Sequence, residues 1–405
     1  MSNHWILIFA YHFPPQNVIG AARPHRFYKY LQRQGYKCHV ITAVDVSSRP
    51  DLDAEYVPDP FFHAPARGVG WQMERAVRRL LVPGVVGVRW AYHAYHAGLR
   101  FLQQHPNERV TLFSTFPPLG CHLAAWWLAR RKGLPWIADF RDPLVGNPIH
   151  DILPVRSRLT YELVQRTLNA SAGAFIANTD GAERLMKQKH RSRASRVHLI
   201  WNGFDPEQRI SALPLPGRDF KLLSHVGELY ESRTAVPLLE SFERIINSGR
   251  LPAGSLRVEL TGPMEEGCLP PPAFLKAAEA QGWLRLKFSQ VPKAEALEIA
   301  QTSDSLLLIQ PQSAIQVPGK LFEYLQIGRP ILAFVPRNSS VERVLEKSGV
   351  EYRCVYSGSS PDEFDQAVLE FLKLPSDPVR TSPWFEETFN AESQTAALAK
   401  IIEQL

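Results

Sequence analysis

Apolar residues in the first half of the chain fall into short runs of four to six closed by turn residues: Trp5 to Ala10, His39 to Ala43, Val110 to Ser114, Trp136 to Asp139, Ala174 to Asn178 and Val197 to Trp201. Runs of this length without polar alternation predict strands buried on both faces, as in a parallel sheet. Between them, Ala21 to Gln34, Leu119 to Lys132 and Arg156 to Asn169 carry apolar residues at three- and four-residue spacing and predict amphipathic helices. After a Pro- and Gly-rich stretch, Pro206 to Gly217, the pattern returns. Strands are predicted at Lys221 to Val226, Leu256 to Thr261, Leu284 to Phe288, Ser305 to Ile309, Ile331 to Val335 and Tyr352 to Tyr356, and helices at Ala235 to Asn247, Lys293 to Thr302, Gly319 to Ile327 and Val341 to Lys347. Strand–helix alternation of this kind predicts an α/β protein of two doubly wound, Rossmann-like domains. Residues 1–205 form the first, 206–217 a linker, 218–380 the second, and 381–405 a C-terminal helix able to pack back on the first. Ligands of such sheets sit beyond the carboxyl ends of the strands, so a cleft between facing domains is where function is expected.

With 405 residues, 45% hydrophobic and 21% charged, the chain has enough apolar surface for two cores and is unlike a disordered or fibrous chain. Cysteines 38, 121, 268 and 354 are scattered singly, which argues against structural zinc. Met1 to His4 lead straight into an apolar strand with no basic leader, and Leu80 to Trp90 is interrupted by Pro83, Gly84, Gly87 and Arg89. A cytosolic chain without a membrane span is expected. Charge divides unevenly: residues 1–205 hold 26 Lys and Arg against 14 Asp and Glu, while 206–405 hold 20 against 26. A half at +12 suits nucleic acid, an anionic membrane or a phosphate-bearing substrate.

The loop after the first strand offers Gly20 alone, and Gly319-Lys320 lacks the preceding glycine of a P-loop, so dinucleotide and P-loop readings weaken. The richest segment is Gln316 to Pro330. Pro318 suits a first helical turn, the backbone N–H groups of Gly319 and Lys320 would point with the helix dipole at an anion, and Leu321 continues that turn. Lys320 adds a positive charge. Glu323, one turn deeper, can accept hydrogen bonds from two neighbouring hydroxyls, an order of groups that matches a nucleoside diphosphate. The same residues read equally as a solvated Lys–Glu pair. In SHVGELYESR, Ser224 to Arg233, a strand ends at Gly227 and Arg233 stands before the next helix, placed to grip two phosphate oxygens. Asp139, Arg141 and Asp142 follow another strand end; they either serve an acceptor or fix a turn. His93 and His96 read as aromatic packing rather than metal ligands. Trp71 to Arg100 interleaves Arg75, Arg78, Arg79, Arg89 and Arg100 with Trp71, Leu80, Leu81, Val82 and Trp90, and reads either as a membrane interface or as a packed amphipathic helix.

Taken together, YHFPPQNVIGAARPHRF, PWIADFRDP, HLIWNGFDP, the Gly227 to Arg233 loop and VPGKLFEYLQIGRPIL resemble the GT-B fold glycosyltransferases of family four, the retaining, nucleotide-sugar-dependent enzymes of bacterial polysaccharide assembly. The resemblance spans nearly the whole chain. It implies that Glu323 holds the ribose hydroxyls and that Arg233, Lys320 and the backbone of Pro318 to Leu321 bind the donor diphosphate, with Gly20 and Gly227 allowing close approach. Asp142 is then the candidate for orienting or partly deprotonating an acceptor hydroxyl. Asn202, Gly203 and Asp205 read as a structural boundary turn. The family's first glutamate would fall at Ile315, where Gln312 or Gln316 could replace its polar contact. The implied partners are a nucleotide-sugar donor and a saccharide or lipid-linked acceptor. No cofactor, metal or nucleic acid is expected, and the place is the inner face of a membrane, peripherally through 71–100. Two other classes stay open: a non-catalytic nucleotide-sugar-binding partner of an assembly complex, and a same-fold nucleotide-sugar epimerase.

Overall fold

The computed structural model describes residues 3–60, 87–145, 155–230 and 233–405. Two compact units are present, one of Met1–Asp205 with Asn390–Leu405, the other of Pro206–Phe389. In the first unit, β1 (His4–Phe9), α1 (Ile19–Arg33), β2 (Lys37–Thr42), β3 (Ala54–Tyr56), α2 (Val88–Gln104), β4 (Arg109–Phe116), α3 (Gly120–Lys132), β5 (Trp136–Phe140), α4 (Val155–Ser171), β6 (Ala174–Ala177), α5 (Asp180–Lys189) and β7 (Val197–Leu199) follow one another. Among the described residues the strands form one parallel sheet in the order β3-β2-β1-β4-β5-β6-β7. Its core lies on both faces. One cluster gathers Leu7, Phe9, Trp90, Leu112, Leu128, Trp136 and Phe140; the other gathers Ile6, Ile8, Phe27, Leu31, Phe113 and Ile137.

The second unit runs β8 (Lys221–Val226), α6 (Val236–Asn247), β9 (Leu256–Thr261), α7 (Pro272–Ala280), β10 (Leu284–Lys287), α8 (Lys293–Gln301), β11 (Ser305–Ile309), α9 (Lys320–Ile327), β12 (Ile331–Val335), α10 (Ser340–Ser348), β13 (Tyr352–Tyr356), α11 (Pro361–Leu372) and α12 (Pro383–Phe389). Its sheet is parallel in the order β10-β9-β8-β11-β12-β13. Strands β11 and β12 are buried at every position, which is why their sequences read as unbroken apolar runs.

Residues 381–405 form two helices rather than the one expected. Phe385 and Phe389 of α12 are fully buried, and Phe389 packs on Phe322 at 5.0 Å between ring centroids, within the second unit. Asn390 then caps α13 (Ala391–Glu403), whose Leu398, Ile401 and Ile402 join Phe27 and Leu31 of α1 in the first unit's core. The stretch expected as a linker is held to the second unit: Leu213 N–H donates to Gln301 O at 3.0 Å, and Arg329 Nη2 donates to Leu213 O at 2.8 Å. Trp90 is fully buried on α2 and donates to Val57 O at 2.9 Å, so that part of the 71–100 stretch packs inside; residues 71–86 lie outside those described. His93 and His96 make edge contacts with Tyr92 at 5.5 and 4.5 Å.

Candidate functional site

In the second unit the chain leaves β8 for β9 on one side and later returns to β11 on the other. Loops at the carboxyl ends of β8 and β11 therefore diverge, and a doubly wound sheet opens a crevice at such a point. Gly227 and Arg233 follow β8, and the loop after β11 runs from Gln310 into α9.

Lys320, the first residue of α9, turns inward across this edge. Its Nζ donates to Val226 O at 2.9 Å and lies 3.5 Å from His225 Nε2. His225 Nδ1 is 2.9 Å from Leu307 O, so Nδ1 carries the proton and Nε2 presents a lone pair to the ammonium. Burial pushes the His225 pKa far down, and the charges of Lys320 and Arg233 push the same way, so this imidazole stays neutral. Gly227 makes the arrangement possible: a Cβ there would stand 2.1 Å from Lys320 Nζ, and its φ of +144° is unsuited to other residues. Gly262, after β9, leaves equivalent room, since its Cβ would fall 2.5 Å from Gly227 O.

Enclosure by protein atoms brings the Lys320 pKa down to about 7, with the Arg233 charge adding to the effect and Glu323 opposing it. An ammonium has three donors, and Val226 and His225 engage two of them. Glu323 pairs at 3.7 Å with Lys293, not with Lys320, so the surface Lys–Glu pair that the sequence also allows is not formed. Arg233 donates its backbone N–H to Tyr230 O at 3.0 Å and holds its guanidinium 4.6 Å above the Tyr230 ring. Its Nε is buried without a hydrogen-bond partner among the described residues.

The start of α9 sets which backbone groups remain. Leu321 N–H donates to Pro318 O at 3.0 Å and Phe322 N–H to Gly319 O at 3.2 Å, whereas the N–H groups of Gly319 and Lys320 meet no acceptor among the described residues. Leu321 is therefore a correction to the expected site: its N–H is used and its side chain is fully buried. Pro318 precedes the helix, and Gly319 is its N-cap. Open space lies where a Gly319 Cβ would be, and its φ of −57° suits any residue, so neither packing nor backbone geometry requires this glycine.

Nine buried side-chain polar atoms have no partner among the described residues, and four of them gather at this edge: Arg233 Nε, Thr261 Oγ1, Gln310 Oε1 and Gln312 Oε1. Buried polar atoms are normally paired, so such a gathering marks a place for a ligand's own donors and acceptors. His225, Thr261, Gly262 and Gln310 are not singled out by sequence pattern. A polar residue at the carboxyl end of an apolar run, or a glycine just beyond it, is the signal that finds them.

The first unit's corresponding edge is built differently. Asp139 is fully buried and accepts from Arg23 Nε at 3.0 Å, Arg23 Nη2 at 2.8 Å and Thr115 Oγ1 at 2.8 Å. Arg23 also donates to Ile200 O at 2.8 Å and Trp201 O at 2.6 Å. Arg141 donates to Phe116 O at 3.1 Å, to Gly20 O at 3.0 Å and to Pro117 O, bracing three loops. Gly20 sits beneath that brace, where a Cβ would come within 3.0 Å of Arg141 Nη1. Asp139 and Arg141 are thus long-range structural ties rather than a local turn. Asp142 is half-buried beside them. Asn202 Oδ1, Gly203 O and Asp205 accept from Arg23, Arg26, Lys29 and Tyr30, which anchors the boundary segment to α1. The structure thus brings Gly227, Arg233, Pro318, Gly319, Lys320 and Glu323 to one sheet edge, while Gly20 and Asp142 belong to the other unit.

This pair of parallel-sheet units is the GT-B fold of glycosyltransferases. Residues 20–203 match the family description of a glycosyl transferase 4-like domain. Among solved structures, HepE of Anabaena in complex with UDP and glucose is similar, with 13% identity, a TM-score of 0.60, and coverage of 99% of this chain and 100% of that one. An Escherichia coli structure named for trehalose-6-phosphate and bound with UDP-2-fluoro glucose has 13% identity and a TM-score of 0.60, covering 99% and 96%. A Listeria monocytogenes structure designated a UDP-N-acetylglucosamine 2-epimerase has 9% identity and a TM-score of 0.54, covering 100% and 96%. Among curated protein sequences none matches the chain.

Proposed function

We propose that the chain is a retaining glycosyltransferase that moves a sugar from a nucleotide-sugar donor to a hydroxyl of a lipid-linked saccharide in cell-surface polysaccharide assembly. The observation that carries this reading is the cationic cradle of Lys320 fitted over Gly227, with Arg233 and the two unengaged N–H groups of Gly319 and Lys320. The nucleoside diphosphate leaves as negative charge develops on its bridging oxygen, and fixed donors aimed at that charge accelerate departure. Arg233 and Lys320 supply formal charge, the helix N-terminus supplies partial charge, and Glu323 is assigned to the ribose hydroxyls. This assignment needs no divalent ion. Asp142 is assigned to the acceptor hydroxyl, which it would orient and whose proton its carboxylate would partly accept as the new bond to the sugar forms and the bond to the diphosphate breaks. UDP and glucose in HepE support a nucleotide-sugar as donor. Retention of configuration rests on the family resemblance.

The test is a thermal-shift screen of UDP-, GDP-, ADP- and CMP-sugars, followed by transfer assays with the donor that binds. Stabilisation by one donor class, and sugar transfer that falls at least about tenfold in both Arg233→Ala and Lys320→Ala, is the expected result. Unchanged rates in both variants would remove the site assignment. The likeness to the Listeria structure favours one second reading, a nucleotide-sugar epimerase, which would show isomerised donor with no acceptor present. Binding without turnover would instead favour a non-catalytic partner, a role consistent with Ile315 at the family's glutamate position.

A further inference from the structure

At the outer edge of the first sheet, β3 and the middle of α2 enclose a groove of about 490 Å³, a size that suits a small-molecule ligand. Tyr92, His96 and Arg100 follow one another at four-residue spacing and form one line on α2. The other side of that helix, with Trp90, Ala94, Ala97 and Phe101, is buried in the core. Glu55 and Tyr56 of β3 line the groove from the sheet side.

The groove is held open by the fold. Val57 N–H donates to Thr42 O at 2.8 Å, and Val57 O accepts from Trp90 Nε1 at 2.9 Å. Asp59 Oδ2 accepts from the Tyr11 hydroxyl at 2.7 Å and from Gly87 N–H at 3.3 Å. Pro58 and Pro60 flank Asp59 and restrict the backbone there, so this wall has little freedom to collapse inward.

Its lining points to a ligand class. Glu55 and Arg100 pair at 2.5 Å and offset each other, which leaves little to attract an anion. Tyr92 and Tyr56 are 53% and 37% exposed. The ring nitrogens of His93 and His96 meet no hydrogen-bond partner among the described residues. A pyranose presents a face of C–H groups and a rim of hydroxyls, and accessible aromatic rings beside planar polar groups answer both. Tyr92 and Arg100 are eight helical residues apart, about 12 Å, which is longer than one sugar ring.

We infer that this groove binds an uncharged oligosaccharide, at a site separate from the acceptor hydroxyl assigned to Asp142. Strands β2, β1 and β4 lie between β3 and β5, so at about 4.8 Å per strand the groove is about 19 Å from the strand whose loop carries Asp142. The inference does not depend on the transferase reading, because it concerns binding and its test needs no donor.

The experiment is calorimetric titration of the full chain with maltotetraose, cellotetraose, chitotetraose and mannotetraose, and with the corresponding monosaccharides, repeated on Tyr92→Ala, Tyr56→Ala and Lys320→Ala. Expected is a tetrasaccharide that binds at least about fivefold more tightly than its monosaccharide. Its affinity should fall at least about fivefold in each tyrosine variant and stay the same in Lys320→Ala, which alters the other unit. Thermal unfolding of the tyrosine variants should stay close to that of the parent, since both rings are part-exposed. Absence of binding by all four tetrasaccharides, or affinity retained in either tyrosine variant, would overturn the inference. So would loss of binding in Lys320→Ala, which would place the sugar in the second unit.

Discussion

The carboxyl edges of the two sheets have the same topology and opposite chemistry. In the first unit, Asp139 is saturated by Arg23 and Thr115, and Arg141 spends its donors on three backbone carbonyls. In the second unit, Arg233, Thr261, Gln310 and Gln312 hold atoms without partners among the described residues, and the N–H groups of Gly319 and Lys320 are unengaged among them. A saturated buried network spends its hydrogen bonds on holding the fold, whereas an unsaturated one keeps them for something that arrives. Charge alone does not make this distinction, since both edges carry arginine.

Removing a partner from the saturated edge should therefore have the largest effect on stability. Asp139→Ala would leave Arg23 buried and uncompensated, and urea denaturation should show a loss of about 3–5 kcal/mol. The opposite is expected at the unsaturated edge. Lys320→Met removes a charge held in an unfavourable place, so stability should stay level or rise while turnover falls on the order of a hundredfold. Equal losses of stability at both edges would erase the contrast.

Titration of Lys320 sharpens it. Between pH of about 7 and 10.5 the unfolded chain holds a proton on this lysine that the folded chain lacks, so stability rises with pH across that window. A bound diphosphate favours the charged form, so binding takes up a proton near neutrality. Affinity for a nucleoside diphosphate should then fall by up to about tenfold per pH unit above pH 7, measured by calorimetry in buffers of different ionisation enthalpy. The smallest effect is expected for Glu323→Gln. It keeps one acceptor and should weaken nucleotide affinity only severalfold, in line with about 0.5–1.5 kcal/mol for a hydrogen bond, while free inorganic pyrophosphate binds as before.

How legible this was from sequence differs between fold and site. Strands β8, β9, β11, β12 and β13 coincide with their predicted runs, and in β11 and β12 burial on both faces leaves no alternation to blur them. Strand β3 escapes that reading, being three residues long and part-exposed. Helix α2 is obscured by glycine and arginine around its start, and α11 has a capping box at Ser360 and Glu363 that apolar spacing alone overlooks. At the site, Lys320 and Arg233 stand out as cations at element ends. His225 and Gln310 do not, because their significance lies in which neighbours across the sheet meet or miss their polar atoms, and sequence order does not contain that. The resemblance singled out Leu321 for its position, but its N–H is taken by Pro318 O.

The central claim is that Lys320 is held over Gly227 to receive a diphosphate. Calorimetric titration of the full chain with uridine, guanosine and adenosine diphosphates, repeated on Lys320→Met from pH 6 to 9, tests it most directly. The account predicts that one of these nucleotides binds the parent with affinity declining above pH of about 7, and binds the variant weakly with no such decline. Equal affinities and parallel pH profiles for the two proteins would contradict it.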